Sequence, residues 1–326
     1  MSGQRGIALV TAIFVVMLAT IAAVAMVDAA NFAVHRSVNL GQSEAQWWYA
    51  EGIEAWVKGI LARNAGNQSR TDGLGDAWAQ PVDFLPIDGG AVRGRIEDLQ
   101  GRFNLNNLAA PLTTQPGGDT AAATGAAMYM QQFERLLDNL PGFDGSKYHG
   151  LSYAIRDWID ADSDRSGTGG AEDQDYLGLD PPYRAANQPM RSTSELLLVR
   201  GVTPELFAAL QPYVAALPAV GTPINVNTAP EPVLLSLATQ IDRNAVEKFI
   251  AARKANPVSD VAALHGTGEF AFLPATVPAS ALGVGTHYFL LQAQIFIGSG
   301  RLALYSVIYR PDAGSPVVLA HSTNSD

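Results

Sequence analysis

The chain has 326 residues, of which 48% are hydrophobic, with a formal net charge of −10 and no cysteine. This length and apolar content predict a globular protein with one large domain or two ordinary ones. The acidic balance argues against nucleic acid or anionic lipid as a partner, and the absence of cysteine excludes disulfides, zinc thiolates and thiol nucleophiles.

An apolar run over residues 7–27 is interrupted only by Thr11 and Thr20. About 20 apolar residues are enough for a helix to span a hydrocarbon core, so this segment is predicted to cross a membrane. Arg5 lies before the run and Asp28 lies after it. This charge arrangement favours a cytoplasmic N-terminus and an exported body.

The same helix is predicted to continue far beyond the membrane, because no proline occurs before Pro81 and apolar residues keep a helical spacing. These positions are Ala45, Trp48, Tyr49, Ile53, Trp56, Val57, Ile60 and Leu61. We expect one helix over residues 7–63 whose second half docks on a folded domain. Trp48 and Trp56 are expected to face that domain, and Trp47 is the tryptophan left available to a partner.

The start of the apolar run has three interpretations. The "AVA" of residues 23–25 would serve as the cleavage site of a secretory signal, although such signals have apolar cores of only ~7–15 residues. A plain membrane anchor is compatible with the same run. The stretch "RGIALVTAI" resembles the class III leader of type IV pilins and pseudopilins, in which a glycine precedes the apolar run. This resemblance implies a leader over residues 1–6, cleavage after Gly6 by a prepilin peptidase and Ile7 as the mature N-terminus.

Thr11 is the fifth residue of that predicted mature chain. Most pseudopilins carry a glutamate there, whose carboxylate is thought to attract the N-terminal amine of a neighbouring subunit. A hydroxyl can be satisfied by its own helix backbone, whereas a carboxylate in apolar surroundings demands a partner. The resemblance therefore implies a subunit that needs no other subunit ahead of it.

Two strand pairs are predicted, one on each side of a mostly helical middle. Residues 92–98 and 102–106 flank "LQG", and residues 288–297 and 301–310 flank "GSG". Each pair is predicted to form a hairpin, because β-branched and aromatic residues surround a short glycine-containing loop.

The middle of the chain contains "AAMYMQQFERLLDNL", "STSELLLVRGV" and "TPELFAALQPYVAAL", all with helical spacing. Thr203 and Pro204 are predicted as the N-cap and first turn of a helix. This order of elements predicts an α+β fold in which an α-helical domain interrupts an antiparallel sheet domain. The predicted sheet domain comprises residues 28–110 and 222–326. The inserted domain comprises residues 111–221, with "TTQPGGDTAAATG" and "LPAVGTP" near its borders.

The stretch "DWIDADSDRSGTGGAEDQDY", residues 157–176, carries seven acidic side chains and one basic one, Arg165. Its "DADSD" begins like a calcium loop, in which alternate oxygen donors surround a hard cation. It departs from an EF-hand, which would have glycine at Arg165 and glutamate at Ala171. The sequence therefore predicts a calcium loop of another kind. The predicted ligands are Asp160, Asp162, Asp164, Glu172, Asp173 and Asp175.

A solvated acidic loop without metal is the simpler interpretation of this stretch. Apolar and aromatic residues on both flanks argue against it, because they anchor the loop ends and force the carboxylates together. Ca²⁺ prefers 6–8 oxygen ligands and would neutralise the cluster. In a cysteine-free exported protein, such an ion would contribute folding free energy in place of a disulfide.

The sequence disfavours two other function classes, nucleic acid binding and catalysis. Residues 225–270 resemble tandem helix-hairpin-helix sequences, but "ATQID" lacks the hairpin glycine and few cations are nearby, so no nucleic acid partner is expected. The five histidines are scattered, and no hydrolase, zinc-protease or P-loop motif is present. No catalysis is expected.

The leader, Thr11 and the runs "DWIDADSD", "GAEDQDY", "PYRAANQPM", "SELLLVRGV" and "INVNTA", in this order, resemble the GspK family of minor pseudopilins of type II secretion. The resemblance implies a long N-terminal helix packed on an antiparallel pilin-like sheet, a large inserted helical domain and bound Ca²⁺. It also implies a single-pass inner-membrane protein with its body in the periplasm, at the tip of a pseudopilus.

The partners that this resemblance implies are other minor pseudopilins at the tip, the major pseudopilin below, the inner membrane and the prepilin peptidase. Secreted substrates and the outer-membrane secretin are further candidate partners. A membrane-anchored calcium-binding interaction protein is the alternative function, and it would not be processed at Gly6.

Overall fold

The computed structural model describes residues 4–65, 71–111, 125–268 and 270–323, and for residues 4–6 and 64–65 the backbone alone. Its first element is one continuous helix, α1 (Gln4–Ala65), which confirms the helix predicted over residues 7–63. Residues 1–3 of the predicted leader lie outside the described residues, as does most of the predicted border "TTQPGGDTAAATG".

Helix α1 divides into a solvent-exposed half and a packed half. Residues 7–41 are exposed along their whole length, and the helix is long and apolar enough to cross a membrane. From Gln46 onward, buried positions recur at helical spacing. The first half therefore lacks a protein surface to cover it, and the second half packs on the body of the chain.

The body contains nine strands within the described ranges. They are β1 (Val82–Ile87), β2 (Gly90–Asp98), β3 (Phe103–Asn104), β4 (Val214–Ala215), β5 (Ile224–Asn225), β6 (Leu282–Gly283), β7 (Tyr288–Ile297), β8 (Gly300–Tyr309) and β9 (Val317–Thr323). Five of them form one antiparallel sheet in the order β1-β2-β7-β8-β9. Strands β3 and β4 pair in parallel, as do β5 and β6.

The predicted hairpin of residues 288–297 and 301–310 is confirmed by β7 and β8. The other predicted hairpin is wrong, although β2 is a strand. Its hairpin partner is β1, across a turn in which Gly89 has a φ of 76°. Residues 102–106 leave the sheet because the Asp98 carboxylate accepts a hydrogen bond from the Gln100 amide at 2.7 Å and turns the chain. Strand β9 was not predicted.

The packed half of α1 covers one face of the sheet. The buried cluster between them contains Ala50, Ile53, Val57 and Leu61 of α1 and, from β7, Phe289, Leu291, Ala293 and Ile295. The prediction that Trp48 and Trp56 face the sheet is wrong, since they are 64% and 48% exposed. The buried stripe runs through smaller side chains, and both tryptophans lie outside it. Trp47 is 41% exposed, with its ring edge-on to His321.

Between β2 and β7 the chain builds a second hydrophobic core, whose buried residues run from Phe103 to Leu282, and this segment is called the helical part. Its helices are α2 (Gly125–Asp138), α3 (Leu151–Ile159), α4 (Asp173–Leu177), α5 (Pro204–Leu210), α6 (Glu231–Ser236) and α7 (Arg243–Arg253). Short 3-10 turns connect them. These turns are Leu105–Ala109, Ser146–Tyr148, Thr193–Leu198, Gln211–Tyr213, Val261–Leu264 and Ala279–Ala281.

The predictions for the helical middle of the chain are confirmed in part. Helix α2 and the Thr203 cap are confirmed, since the Thr203 hydroxyl accepts a hydrogen bond from the Leu206 amide at 3.2 Å and Pro204 opens α5. "STSELLLVRGV" forms a 3-10 turn rather than an α-helix, and the end of "TPELFAALQPYVAAL" becomes β4. The side chains of residues 224–282 share one core with α2 and α3. The domain boundaries at 111 and 221 stay a prediction.

Buried asparagines join the start of the helical part to its later segments. The Asn106 side chain donates to the carbonyls of Met190 and Leu217, at 2.9 and 2.8 Å, and accepts from the Met190 amide at 2.8 Å. Asn104 donates to the Ala219 carbonyl at 2.8 Å. Because buried polar groups without partners are costly, these amides fix the path of the chain at this joint.

Candidate metal centre

Helix α3 brings Asp157 into the interior. Its apolar face buries Leu151, Ile155 and Trp158 in the core of the helical part. The Arg156 guanidinium donates to the Leu108 carbonyl at 2.7 Å and so ties α3 to the neighbouring 3-10 turn. Asp157 is fully buried on this fixed helix. One of its carboxylate oxygens, Oδ1, accepts from the Ser166 amide at 2.9 Å.

Helix α4 places Glu172 opposite α3. Glu172 is the N-cap of α4, and its backbone amide donates to the Asp175 carboxylate at 3.0 Å. Tyr176 of α4 is fully buried, and its ring lies edge-on to that of Trp158 at 5.2 Å. Packing of these two rings holds the ends of the acidic loop together, as the apolar flanks predicted.

The result is a cluster of three carboxylates, Asp157, Asp160 and Glu172. Each offers an oxygen atom within 4.8 Å of the others. Asp157 and Glu172 are buried, and Asp160 is partly buried. Asp157 Oδ2 and Asp160 Oδ1 are inaccessible to solvent and have no hydrogen-bond partner among the described residues. Such orphaned acceptors are costly in a folded protein unless a cation or a proton satisfies them.

The electrostatics of the cluster follow from this burial. Removal from water raises the pKa of Glu172 to about 7, with further contributions from the charges of Asp157, Asp160 and Asp162. Burial also raises the pKa of Asp160 to about 6, with Asp162 and Asp157 adding to the shift. The Arg156 Nε atom lies 3.6 Å from Asp160 and opposes this shift. Three carboxylates therefore face one guanidinium, and the cluster is short of positive charge.

The predicted ligands separate into two groups. Asp160 and Glu172 lie in the cluster, and exposed Asp162 is close enough for its charge to act on both. Asp164 is exposed, and its amide donates to Asp162 at 2.9 Å.

Asp173 and Asp175 are not brought into the cluster. Asp173 accepts from the Ala185 amide at 3.1 Å and lies 3.6 Å from Arg184. Asp175 is held between Arg165, at 2.5 Å, and Arg200. These pairings satisfy both carboxylates with protein donors.

Asp157 is the cluster residue that sequence reasoning missed. The calcium-loop comparison began at Asp160 and left out the preceding helix. A usable signal was present, because Asp157 and Asp160 are separated by three positions and residues at that spacing share one face of a helix. The "DWID" spacing thus placed both carboxylates on the same side.

The cluster has the chemistry of a site for a hard cation. Carboxylate oxygens are the ligands that Ca²⁺ and Mg²⁺ prefer, and such an ion would satisfy the orphaned buried oxygens of the cluster. Gly170 lies against the cluster, since a Cβ atom at this position would overlap Asp157 Oδ2. The residues present therefore fit a carboxylate-bound metal ion.

Helix α1 continues from an exposed apolar half onto an antiparallel sheet, and the helical part is built between two neighbouring strands of that sheet. This is the architecture of a pseudopilin. The family described as "Type II secretion system (T2SS), protein K" matches residues 101–219 and again residues 224–285. The chain belongs to this protein K family and is a minor pseudopilin of type II secretion.

Relatives with the same name cover almost the whole chain. The type II secretion system protein K of Pseudomonas aeruginosa is 35% identical over 98% of this chain and 92% of its own. That of Aeromonas hydrophila is 34% identical over 97% of this chain and 96% of its own. The fold resembles a chain in the crystal structure of the GspK-GspI-GspJ complex from enterotoxigenic Escherichia coli, with a TM-score of 0.74 and 26% identity. That match covers 89% of this chain and 100% of the other.

Proposed function

We propose that this minor pseudopilin is the end subunit of a periplasmic pseudopilus, in a hetero-oligomer with other minor pseudopilins and with the major pseudopilin below it. The observation that carries this proposal is the size of the helical part, a second core built between two neighbouring strands of the sheet. In a helical array each inner subunit is surrounded, whereas the end subunit keeps one face free. A subunit this bulky fits the end position.

The N-terminal half of α1 supports the same position. The Thr11 hydroxyl donates to the carbonyls of Ile7 and Ala8, at 3.1 and 3.0 Å, within its own helix. A carboxylate here would need a cation from outside the helix, but this hydroxyl is already satisfied. The Thr11 side chain therefore needs no hydrogen-bond or ionic partner from a subunit ahead of it.

The similarity to the GspK-GspI-GspJ complex supports other minor pseudopilins as partners. The test is to co-express the full chain with the GspI and GspJ relatives of its own organism, extract the membranes with detergent and separate the complexes by size. Recovery of all three chains in one complex supports the proposal. If the chain is inserted intact into the membrane but elutes alone, the proposal is contradicted.

The proposal includes processing after Gly6 and a single-pass position in the inner membrane with the body in the periplasm. Its support is the apolar segment that directly follows Gly6 and the absence of any buried residue over 7–41. Intact mass and N-terminal sequencing, with and without a prepilin peptidase, test it. A chain that begins at Ile7 only with the peptidase supports a pseudopilus subunit. An unprocessed chain indicates an anchored calcium-binding interaction protein instead.

The carboxylate cluster is proposed as a structural Ca²⁺ site. Asp157, Asp160 and Glu172 would hold the ion, with exposed Asp162 at its edge. When bound, the ion would neutralise the buried carboxylates and join α3 to α4, so that its binding free energy adds to folding. The test is the unfolding temperature of the chelator-treated full chain on addition of Ca²⁺, with Mg²⁺ as the comparison. If the unfolding temperature does not change on addition of Ca²⁺, the proposed site is contradicted.

A further inference from the structure

A cavity of about 510 Å³ opens on the helical part, beside the start of α3. Its side-chain walls come from three separate segments, and its main lining side chains are Lys147, Tyr148, Leu151, Arg165 and Arg200. His149, Ala154 and Thr168 also line it, and four glycines form the rest of the wall, so that backbone rather than side chain faces the opening there. Two of them, Gly150 and Gly201, have φ values of 91°, which side-chain-bearing residues rarely adopt.

Two arginines of this cavity are held in place by one carboxylate. Arg165 Nη2 lies 2.5 Å from Asp175 Oδ2, and Arg200 binds the other oxygen of the same group. The Asp175 side chain is 11% exposed, whereas those of Arg165 and Arg200 are 51% and 57% exposed. A guanidinium has five N–H donors, and Asp175 uses only part of each set. The pair therefore presents further donors to solvent in a preorganised position.

The third cation is fixed by aromatic rings. The Lys147 ammonium lies 5.1 Å from the centre of the Tyr148 ring and 5.7 Å from that of Phe143. These two rings are stacked on each other at 5.8 Å. Contact with the ring faces limits the freedom of the lysine, so binding of an anion at this position costs less side-chain entropy.

The concentration of positive charge here is unusual for this protein, whose formal net charge is −10. Residues 125–221 contain seven lysines and arginines. Arg135 and Arg156 donate to backbone carbonyls of the core. Three of the other five line this one cavity. Arg165 and Arg200 pair with Asp175, and more than half of each of these arginine side chains is still open to solvent.

We infer that this cavity binds a short acidic segment of a protein partner, with carboxylates on Arg165, Arg200 and Lys147. The volume falls in the range of about 300–1,000 Å³ that suits an extended group rather than a single inorganic ion. Nucleic acid is disfavoured because it needs a basic surface that follows many phosphates, and this surface ends at three cations.

The experiment is a fluorescence-anisotropy titration of a labelled hexaglutamate peptide with the full chain in detergent micelles, at fixed Ca²⁺. We expect binding that weakens as salt is added, because the exposed charges are screened. Arg165→Gln or Arg200→Gln should weaken binding roughly tenfold, the value of one charge-assisted hydrogen bond. Lys147→Gln, which leaves the Asp175 pairs intact, should weaken it several-fold.

Arg184→Gln is the matched control, since Arg184 is 74% exposed on the same part and pairs with Asp173 outside the cavity. This variant should bind as the parent does. Equal loss in Arg184→Gln, or no binding of the peptide by the parent, overturns the inference. Binding of hexaglutamine with the same affinity does so too, as does displacement of the peptide by an equal concentration of inorganic phosphate or a single-stranded oligonucleotide.

Discussion

Arg310, directly after β8, donates from Nη2 to the carboxylate of Asp72, in the segment that follows α1. Both side chains are buried, at 6% and 2% exposure. The same Arg310 nitrogen donates to the Thr286 carbonyl at 2.7 Å, and the guanidinium lies 4.9 Å from the Phe289 ring centre. The Thr286 amide donates to Asp72 at 2.9 Å. One buried ion pair thus connects the segment that follows α1 to the end of β8.

The first prediction concerns this pair. Arg310→Met should destabilise the body by about 3–5 kcal/mol, because it leaves a buried carboxylate without its cation. Arg95→Met is the control, since Arg95 is 60% exposed and pairs with Glu97 at 2.7 Å. A surface pair of this kind contributes about 1 kcal/mol or less. Urea unfolding of the detergent-solubilised chain measures both, and equal losses would contradict the prediction.

The second prediction concerns pH in the absence of metal. The folded-state pKa values of Asp160 and Glu172, about 6 and about 7, lie above their ordinary values of 3.8 and 4.5. The folded chain therefore binds more protons than the unfolded one across this window. The contribution of the cluster to stability is greatest below pH 4 and is lost as pH rises to about 7.

Glu172→Gln isolates this effect. Without metal, the variant should be more stable than the parent at pH 8, and the difference should shrink by pH 5, because the parent carboxyl is then largely protonated. Denaturant midpoints at the two pH values, in the presence of a chelator, give the comparison. A difference that is independent of pH would mean that Glu172 does not titrate in this range.

The third prediction separates the cluster from the rest of the acidic loop. Asp157→Asn should weaken Ca²⁺ binding about tenfold or more, since it removes a charged ligand while it keeps the oxygen that accepts from Ser166. Asp173→Asn should have little effect, because Asp173 is held by the Ala185 amide and Arg184. Calorimetric titration of both variants is the measurement. If Asp173→Asn costs as much as Asp157→Asn, the ligand set is wrong.

The fourth prediction concerns Thr11. Thr11→Val should leave assembly unchanged, because the hydroxyl bonds only within its own helix. Thr11→Glu should reduce the yield of the complex with other minor pseudopilins, since a charge in a hydrocarbon core costs about 2.5–3.5 kcal/mol and, at the proposed end position, no subunit ahead supplies an amine. The measurement is the yield of the co-purified complex for each of the two variants. Loss of assembly with Thr11→Val would show that the hydroxyl has an intermolecular role.

Helix α1 and the β7–β8 hairpin could be predicted because their signals are local. A proline-free run with helical spacing and a short glycine loop between β-branched arms need no knowledge of the rest of the chain. The face that α1 buries is a tertiary property. Apolar residues cover more than one face of its second half, and the choice of Ala50 over Trp48 depends on contacts with β7.

The carboxylate site was predicted as a region but not as a ligand set. Its charge density and apolar flanks are visible in the sequence, and they located the loop. Which carboxylates converge depends on the positions of the arginines. Arg165 and Arg200 pair with Asp175, and Arg184 lies near Asp173, so these two carboxylates are drawn away from the cluster. Pairings between distant segments of this kind have no signature in residue spacing.

The pairing of β2 with β7 also constrains the order in which the chain folds. Strand β2 pairs along its whole length with β7, yet the entire helical part lies between them in the chain. During synthesis, the β1–β2 hairpin is therefore made early, and its edge stays unpaired until β7 is made much later. Sheets closed by such distant segments fold slowly and expose aggregation-prone edges in the meantime. The rate-limiting step in folding of this subunit should be the pairing of the C-terminal strands with β2. Even a short truncation that removes these strands should therefore prevent the sheet from forming.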